Sequence, residues 1–259
     1  MKADILTHRY QLRRDLKVSP NQLQIRRLTI NWSLIDEDSY LQQIEPIRHT
    51  NELSFHAPVT IFTGENGSGK STLLEAIAIA FGFNPEGGTR NYRFSTYDSH
   101  SQLSSAISLV RSPGCSGWGY FFRAESFYNV ATAEEEYSRT AKTQAEYHKR
   151  SHGESFLQMA ELNMLSRGFY LLDEPEAALS PQRQLTLLAQ IRLSVRAGSQ
   201  FIIATHSPIL TGFPEADILS FDGNEIHSVD YEDTESVKIT RLFLQDRHRL
   251  LHALFEEED

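Results

Sequence analysis

The sequence of 259 residues has only one cysteine and no long apolar run. The single cysteine, Cys115, excludes an internal disulfide and fits a reducing compartment. No run approaches the ~18 apolar residues that a helix needs to cross a bilayer. Residues 1–15 carry charge but no apolar segment, so no secretory signal is predicted. From these absences we expect a soluble protein of the cytoplasm.

An overall basic surplus is also missing. Lysine and arginine total 25 against 34 aspartates and glutamates, which gives a net charge of −9. Proteins that bind nucleic acid through its phosphates usually carry a positive surplus, so nonspecific DNA binding is not favoured. Within residues 1–30, however, the charged side chains are Lys2, Arg9, Arg13, Arg14, Lys17, Arg26 and Arg27 against Asp4 and Asp15. This segment is either a solvated basic face or a surface that contacts phosphates, of nucleic acid or of a nucleotide.

Residues 84–150 show no sustained heptad pattern, and the segment is too short for a long coiled-coil arm. Residues 84–117 are polar and rich in turn formers, which predicts an irregular insertion. The charged residues 132–150 predict an exposed helix or a mobile segment. With 40% hydrophobic residues, the chain has material for one α/β domain and a small subdomain.

A glycine-rich loop stands out against this background. The sequence GENGSGKS at 64–71 fits the phosphate-binding pattern G-x-x-x-x-G-K-[ST]. Its glycines let the backbone turn N–H groups toward phosphates, Lys70 can reach the β and γ phosphates, and the Ser71 hydroxyl can bind Mg²⁺. The residues predicted to bind ATP are Gly64, Glu65, Asn66, Gly67, Ser68, Gly69, Lys70, Ser71 and Thr72.

The context of the loop supports this interpretation. Residues 57–63, APVTIFT, predict a short buried strand, and residues 71–83 have the composition of a helix packed on a sheet. Strand, loop and helix in this order deliver a phosphate to a helix N-terminus.

Two further strands end in polar residues. The run GFYLLDE at 168–174 predicts a buried parallel strand with Asp173 as a Mg²⁺ ligand and Glu174 as the residue that polarises the attacking water. The run QFIIATHSP at 200–208 predicts a neighbouring strand that ends at His206, where a sensor of the γ-phosphate would lie. The predicted catalytic residues are thus Lys70, Glu174 and His206.

With these motifs, the chain resembles the ABC-type ATPase superfamily over most of its length. The resemblance identifies 64–71 as Walker A, 169–174 as Walker B, 177–181 as the D-loop and His206 as the switch histidine. It implies an α/β fold with a mostly parallel core sheet, helices on both faces, an antiparallel β-subdomain and a small helical subdomain. It also implies ATP and Mg²⁺ as ligands and a head-to-tail homodimer that encloses the nucleotide.

On this resemblance, residues 1–259 form a single ATPase domain. Residues 22–63 would form the antiparallel subdomain, about 84–165 the insertion and the helical signature subdomain, and 166–259 the Walker B, switch and C-terminal part. In related transporters an aromatic residue of the N-terminal region stacks on adenine. Trp32 and Tyr40 are the candidates here, although either fits equally well as a core or surface residue.

The signature loop of the superfamily, LSGGQ in transporters, has a divergent counterpart in SHGES. Ser151 and Gly153 match the pattern, whereas His152 and Glu154 depart from it. The resemblance implies that Ser151 and Gly153 contact the ATP of the opposite subunit. Ser151 is also a suitable N-cap for a helix over 152–165, with Glu154 completing a capping box, and the two roles are compatible.

The spellings DEPEAALSP and THSPIL resemble the soluble SMC-, RecF- and OLD-like ATPases rather than transporter subunits. The strand predicted over 117–127 lacks the glutamine found at this place in transporters. Arg123, Glu125 and Ser126 are the candidates to replace it, with Glu125 favoured as a Mg²⁺ or water contact. Alternatively, this strand is a core strand with one polar face.

Three functions follow from these features. The spellings favour a soluble ATPase of nucleic-acid maintenance or defence, with nucleic acid or a nuclease as its partner, or a regulatory ATP switch. The nucleotide-binding subunit of a transporter, with a membrane permease as partner, is the less favoured alternative. The lack of heptads excludes a true SMC architecture.

Three elements are predicted after Walker B. Residues 181–198 open with proline and close with glycine, which predicts a helix. Residues 216–231 predict two strands joined by a turn at Asp222 and Gly223. Residues 234–255 predict an amphipathic C-terminal helix whose apolar stripe packs on the domain, although a partner could also use it.

Overall fold

The computed structural model describes residues 23–89, 101–125, 152–164 and 166–255. The strands are β1 (Ile25–Ile30), β2 (Glu52–Ser54), β3 (Val59–Thr63), β4 (Ile107–Arg111), β5 (Gly119–Arg123), β6 (Phe169–Asp173), β7 (Gln200–Ala204), β8 (Asp217–Ser220) and β9 (His227–Ser228). The α-helices are α1 (Glu45–Arg48), α2 (Lys70–Phe81), α3 (Leu103–Ala106), α4 (His152–Asn163), α5 (Pro181–Arg196), α6 (Pro208–Thr211), α7 (Glu235–Gln245) and α8 (Arg247–Phe255). Short 3₁₀ helices span Trp32–Leu34, Tyr40–Gln43, Pro175–Ala178 and Tyr231–Asp233.

The core sheet has the strand order β5-β6-β7-β3-β8-β9, with neighbours parallel except for the β8–β9 pair. Strands β3, β6 and β7 are buried at every position, as expected of parallel strands that are covered on both faces. The predicted fold class is therefore confirmed. Because β3, β6 and β7 are adjacent, their carboxyl ends bring the glycine-rich loop, Asp173 and His206 to one edge of the sheet.

Alternating side chains of the core sheet pack into two hydrophobic clusters, one on each face. Tyr170 and Leu172 of β6 join Phe156 of α4 and Leu187 of α5 in one cluster. The neighbouring β6 residues Phe169 and Leu171 join α2 and the antiparallel sheet in the other. Helices α2, α4 and α5 thus hold the sheet from both sides.

The antiparallel sheet has the order β2-β1-β4 and differs from the expected composition of residues 22–63 in two respects. Strand β3 belongs to the core sheet, where all five of its residues are buried, so it is a central strand and not part of a one-sided subdomain. The third antiparallel strand is β4, from the segment 84–117 that was predicted to be irregular. Its pairing with β1 sets Leu109 opposite Leu28.

One buried side chain connects the two sheets. The Oε1 atom of Gln200, at the start of β7, accepts the backbone N–H groups of Gln24 and Ile25 at 2.8 Å each. Its Nε2 atom donates to the carbonyl oxygen of Ile25 at 3.0 Å. The Gln200 side chain is fully buried, so it satisfies backbone groups that water cannot reach.

The C-terminal segment is not the single packed helix that the sequence predicts. Asp246 separates helices α7 and α8. Its Oδ1 atom accepts the backbone N–H of Arg249 at 3.0 Å, so this side chain caps the start of α8. Val237 is the buried residue of α7, and the large apolar side chains that follow it in α7 are exposed. The predicted pair of strands over 216–231 is confirmed, with Leu219 opposite Ser228. Among the helices that the structure describes, none combines the length and the apolar composition of a membrane span.

Candidate active site

The glycine-rich loop joins β3 to α2, and its backbone requires glycine. Gly69 has a φ angle of 97°, in the left-handed region that glycine adopts without strain. A Cβ atom on Gly69 would lie 2.7 Å from both Ile44 Cγ2 and Ile47 Cδ1. A Cβ atom on Gly64 would lie 2.9 Å from Asp222 Oδ1. Residues 44–47 therefore pack against the loop at Gly69, and neither Gly64 nor Gly69 has space for a side chain.

Lys70, the first residue of α2, is buried and turned back onto the loop. Its Nζ atom donates to the carbonyl oxygens of Gly64 and Glu65 at 2.7 Å each, with the Ser68 hydroxyl at 3.4 Å. Burial lowers the pKa of Lys70, and the surrounding carboxylates, Glu174 foremost, oppose this effect. The ammonium of Lys70 thus donates to carbonyl oxygens, and the phosphates of a nucleotide could take their place as acceptors.

Asp222 follows strand β8, which lies beside β3, and supports the start of the loop. Its Oδ1 atom accepts the backbone N–H of Glu65 at 2.8 Å. The Ser220 hydroxyl donates to its other oxygen at 3.3 Å. The sequence assigned Asp222 only to a turn, and its contact with the loop depends on β8 lying beside β3, which no local pattern reveals.

Ser71 and Asp173 meet where α2 begins and β6 ends. The Ser71 hydroxyl donates to Asp173 Oδ1 at 2.8 Å. Burial raises the pKa of Asp173 to about 6, although the hydrogen bond from Ser71 and the charge of Arg123 act in the opposite direction. A carboxylate held in this environment has a strong electrostatic preference for a cation beside it.

This pair of oxygen ligands fits Mg²⁺. Magnesium prefers hard oxygen donors and usually takes one or two protein ligands, with water and substrate phosphates completing its shell. The described part of the chain contains no group of three or more His, Cys, Asp or Glu residues that could hold a metal ion by itself. Ser71 and Asp173 therefore suit a metal that arrives with a nucleotide.

Glu174 lies beside the same loop. With Asn66, Gly67, Gly69, Lys70, Ser71 and Thr72 it lines a cavity of about 110 Å³. Glu174 has a φ angle of 47°, which is uncommon outside glycine and typical of strained functional positions. Its backbone N–H donates to the Ala204 carbonyl at 2.9 Å, and its Oε1 atom lies 3.8 Å from His206 Nε2. The structure thus brings five predicted site residues close together: Lys70, Ser71, Asp173, Glu174 and His206.

Arg123 occupies the place next to Walker B where a glutamine was expected. It pairs in register with Asp173 on the neighbouring strand, and its Nε atom lies 3.5 Å from Asp173 Oδ2. Its Nη1 atom lies 2.6 Å from Glu75 Oε2. Burial disfavours its charge, but Asp173 and Glu75 outweigh burial, and the pKa of Arg123 is raised.

Glu125, the favoured substitute for that glutamine, does not lie beside the predicted metal ligands Ser71 and Asp173. Its side chain is 85% exposed, and its Oε2 atom lies 3.7 Å from Arg123 Nη2 rather than at the metal ligands. Ser126 lies outside the described residues. Arg123 and its anchor Glu75 are the functional candidates here, and the sequence missed Glu75 because it lies inside the apolar pattern of α2.

The signature segment is described only from residue 152 onward, so Ser151 lies outside the described residues. Gly153 lies in the first turn of α4, where a Cβ atom would be 2.9 Å from the Ala178 carbonyl and 2.7 Å from Arg183 Nη1. Arg183 in turn donates to Glu154 at 2.9 Å. The start of α4 therefore packs against the D-loop of its own chain, and Gly153 does not line the cavity.

The two candidates for adenine stacking lie away from the cavity lining. The Trp32 ring is half-buried and its Nε1 atom donates to the Thr50 carbonyl at 3.1 Å. Tyr40 is 52% exposed. The Trp32 contact gives this side chain a structural part in the N-terminal segment.

Two family models match the sequence of this chain. The first, described as "AAA domain", matches residues 40–164. The second, described as "AAA domain, putative AbiEii toxin, Type IV TA system", matches residues 155–211. The first range contains the glycine-rich loop, and the second contains Asp173, Glu174 and His206. No curated protein matches the sequence.

Two solved structures are similar to the chain at 16% sequence identity. The SMC head domain from Thermotoga maritima aligns with a TM-score of 0.46 over 80% of this chain and 100% of that one. A structure described as "An inward-facing conformation of a putative metal-chelate type ABC transporter" aligns with a TM-score of 0.48 over 85% of this chain and 89% of that one. Alignments at such scores carry no argument. The two AAA-domain matches and the site itself support an enzyme that hydrolyses ATP.

Proposed function

We propose that this ATPase depends on Mg²⁺, held by Ser71 and Asp173 together with the phosphates of ATP. The observation that carries the proposal is the contact of 2.8 Å between Ser71 Oγ and Asp173 Oδ1 at the edge of the cavity. Two oxygen ligands from different elements meet there, next to the buried ammonium of Lys70. Bound Mg²⁺ would neutralise the negative charge of the phosphates and help to orient them.

The residues of the chain divide the chemistry between them. Lys70 holds the β and γ phosphates, and the backbone N–H groups at the start of α2 add positive potential. Glu174 accepts a proton from the water that attacks the γ-phosphorus, while His206 contacts the γ-phosphate and reports its presence. The bond to the β–γ bridging oxygen breaks, and ADP and phosphate leave. The distance of 3.8 Å between Glu174 and His206 supports their action on one group of atoms.

The second part of the proposal is an ATP-sandwich homodimer. Gly153 lies in the first turn of a helix of 12 residues but does not line the cavity of its own chain. A helix N-terminus attracts phosphate, and in this arrangement Ser151 and Gly153 would contact the ATP bound by the other subunit. ATP then joins the two subunits, and its hydrolysis separates them.

For the biological role we propose a cytoplasmic ATPase of defence or nucleic-acid maintenance. The sequence motifs DEPE and THSP favour this role, because they resemble those of the soluble SMC-, RecF- and OLD-like ATPases. The description of one matching family model, which names an AbiEii toxin of a type IV toxin–antitoxin system, also favours it. A single cysteine fits the cytoplasm. No observation among the described residues favours a permease partner.

One pair of variants tests the chemistry and the dimer together. Glu174→Gln keeps the shape of the side chain but cannot accept the proton, so turnover should fall about 10²-fold or more while ATP binding persists. Because ATP is then retained, light scattering should show a dimer that forms only with ATP and Mg²⁺. Lys70→Ala should lose ATP binding and remain unable to form that dimer.

The exposed Glu37 provides the matched control, because Glu37→Gln makes the same chemical change outside the cavity. Normal turnover in Glu174→Gln would assign the proton acceptor to another residue. An unchanged molecular mass with bound ATP would count against the sandwich and leave the catalytic assignment intact.

A further inference from the structure

The loop that carries His206 is held by a carboxylate to which the proposed chemistry gives no role. Glu176 Oε1 accepts the backbone N–H of His206 at 2.6 Å. Glu176 lies on the 3₁₀ helix Pro175–Ala178, directly after Walker B, and 30 residues separate it from His206. A hydrogen bond to an ionised acceptor is shorter and stronger than one between neutral groups, so this contact can fix the loop.

The residue that follows His206 is also held in place. The Ser207 hydroxyl donates to Gln184 Oε1 at 2.5 Å, which ties the loop to α5. The Ser207 backbone N–H donates to Thr205 Oγ1 at 3.0 Å. Both flanking residues are buried. The position of the His206 backbone is therefore determined by Glu176 on one side and by the Ser207 contacts on the other.

The imidazole itself is less constrained than its backbone. In the described part of the structure, His206 Nε2 is buried and has no hydrogen-bond partner. It lies 3.8 Å from Glu174 Oε1, beyond hydrogen-bond distance. Because the ring is not held at this nitrogen, the placement of Nε2 toward Glu174 depends on the backbone from which the side chain extends.

We propose that Glu176 is a positioning residue that holds His206 at the working distance from Glu174. The inference rests on the proposed role of His206 and names the contact that makes the role possible. It also gives a physical meaning to DEPE. The side chain of this second glutamate is long enough to reach the loop that follows β7.

The test compares Glu176→Ala with Glu176→Gln. Alanine removes the acceptor, so kcat should fall about 10- to 100-fold, while KM and the affinity for a fluorescent ATP analogue stay within about twofold. Glutamine keeps an oxygen at the same reach and should restore kcat to within about threefold of wild type. Glu37→Ala is the matched control for an exposed glutamate. If Glu176→Ala fails to fold, Glu176→Thr replaces it with the same expectation.

A double variant shows whether Glu176 acts through His206. If it does, Glu176→Ala combined with His206→Ala should be no slower than His206→Ala alone, because the loss has already occurred. Additive losses, or normal turnover in Glu176→Ala and Glu176→Thr, would overturn the positioning role while His206 keeps its own. Normal turnover in His206→Ala would overturn the sensor role of His206 and the inference about Glu176 with it.

Discussion

Asp173 should reduce the stability of the protein when no metal or nucleotide is bound. Its carboxylate is 5% exposed, and its pKa is raised from 3.8 to about 6, chiefly by burial. The folded protein thus binds a proton at Asp173 more tightly than the unfolded chain does. Stability from this group is present below pH 3.8 and is lost as the pH rises to about 6. Asp173→Asn removes the charge and should therefore stabilise the unliganded protein at pH 7.5.

The size of the gain follows from the same contacts. The rise in pKa corresponds to about 3 kcal/mol, at about 1.4 kcal/mol for each unit. The asparagine oxygen can still accept the hydrogen bond from Ser71. Its NH₂ group, however, would face Arg123 Nε, which lies 3.5 Å from Asp173 Oδ2. Two donors facing each other cost about 1 kcal/mol, which leaves an expected gain of about 2 kcal/mol in the free energy of unfolding.

Urea denaturation of the wild type and Asp173→Asn at pH 7.5 and pH 4.5, without nucleotide or divalent ions, measures this gain. Groups remote from Asp173 contribute equally in both proteins, so the difference between them reports on Asp173 and the charges beside it. The gain should be about 2 kcal/mol at pH 7.5 and should nearly vanish at pH 4.5. Asp38→Asn, at an exposed aspartate, should show neither effect. Equal stability at pH 7.5, or a gain that does not change with pH, would refute the reasoning.

Two structural substitutions have expected results of their own. Gly69→Ala should lower the free energy of unfolding by about 2–3 kcal/mol and abolish ATP binding, since the φ angle is positive and the new Cβ meets Ile44 and Ile47. Calorimetry and an ATP-binding titration check this, and a fully stable variant would show that the loop tolerates a side chain. Gln200→Leu leaves the buried backbone groups of Gln24 and Ile25 without partners and should cost about 2–5 kcal/mol. Urea denaturation measures that loss, and a change below 0.5 kcal/mol would mean that the backbone finds other acceptors.

Much of the fold was predictable because its signals are local. Strand β3, the glycine-rich loop and α2 follow one another without interruption, so an apolar run and three glycines identify them. Helix α5 is bounded by Pro181 and Gly198, and the latter has the positive φ angle expected where a helix ends. Strands β6 and β7 are continuous apolar runs because they are buried on both faces.

The contacts that escaped prediction are those created by strand order. Asp222 reaches Glu65 across 157 residues of sequence, since β8 lies beside β3. Arg123 reaches Asp173 because β5 lies beside β6. The spacing of residues along the sequence does not show which strands will be neighbours in the sheet. Strand β4 was missed for a related reason, because only its pairing with β1 distinguishes it from the polar segment around it.

The arrangement of charge at the site explains why these unpredicted contacts matter. Asp173 is an anion in a place where burial disfavours charge, and Lys70 is a cation under the same penalty. In the unliganded protein each has a substitute partner: Arg123 stands 3.5 Å from Asp173, and backbone carbonyls surround the Lys70 ammonium. These substitutes are weaker than a metal ion and a triphosphate would be, since one is distant and the others are uncharged. In the proposed function, Mg²⁺ and ATP would therefore give Asp173 and Lys70 stronger partners, beside the loops that Glu176 and Asp222 hold.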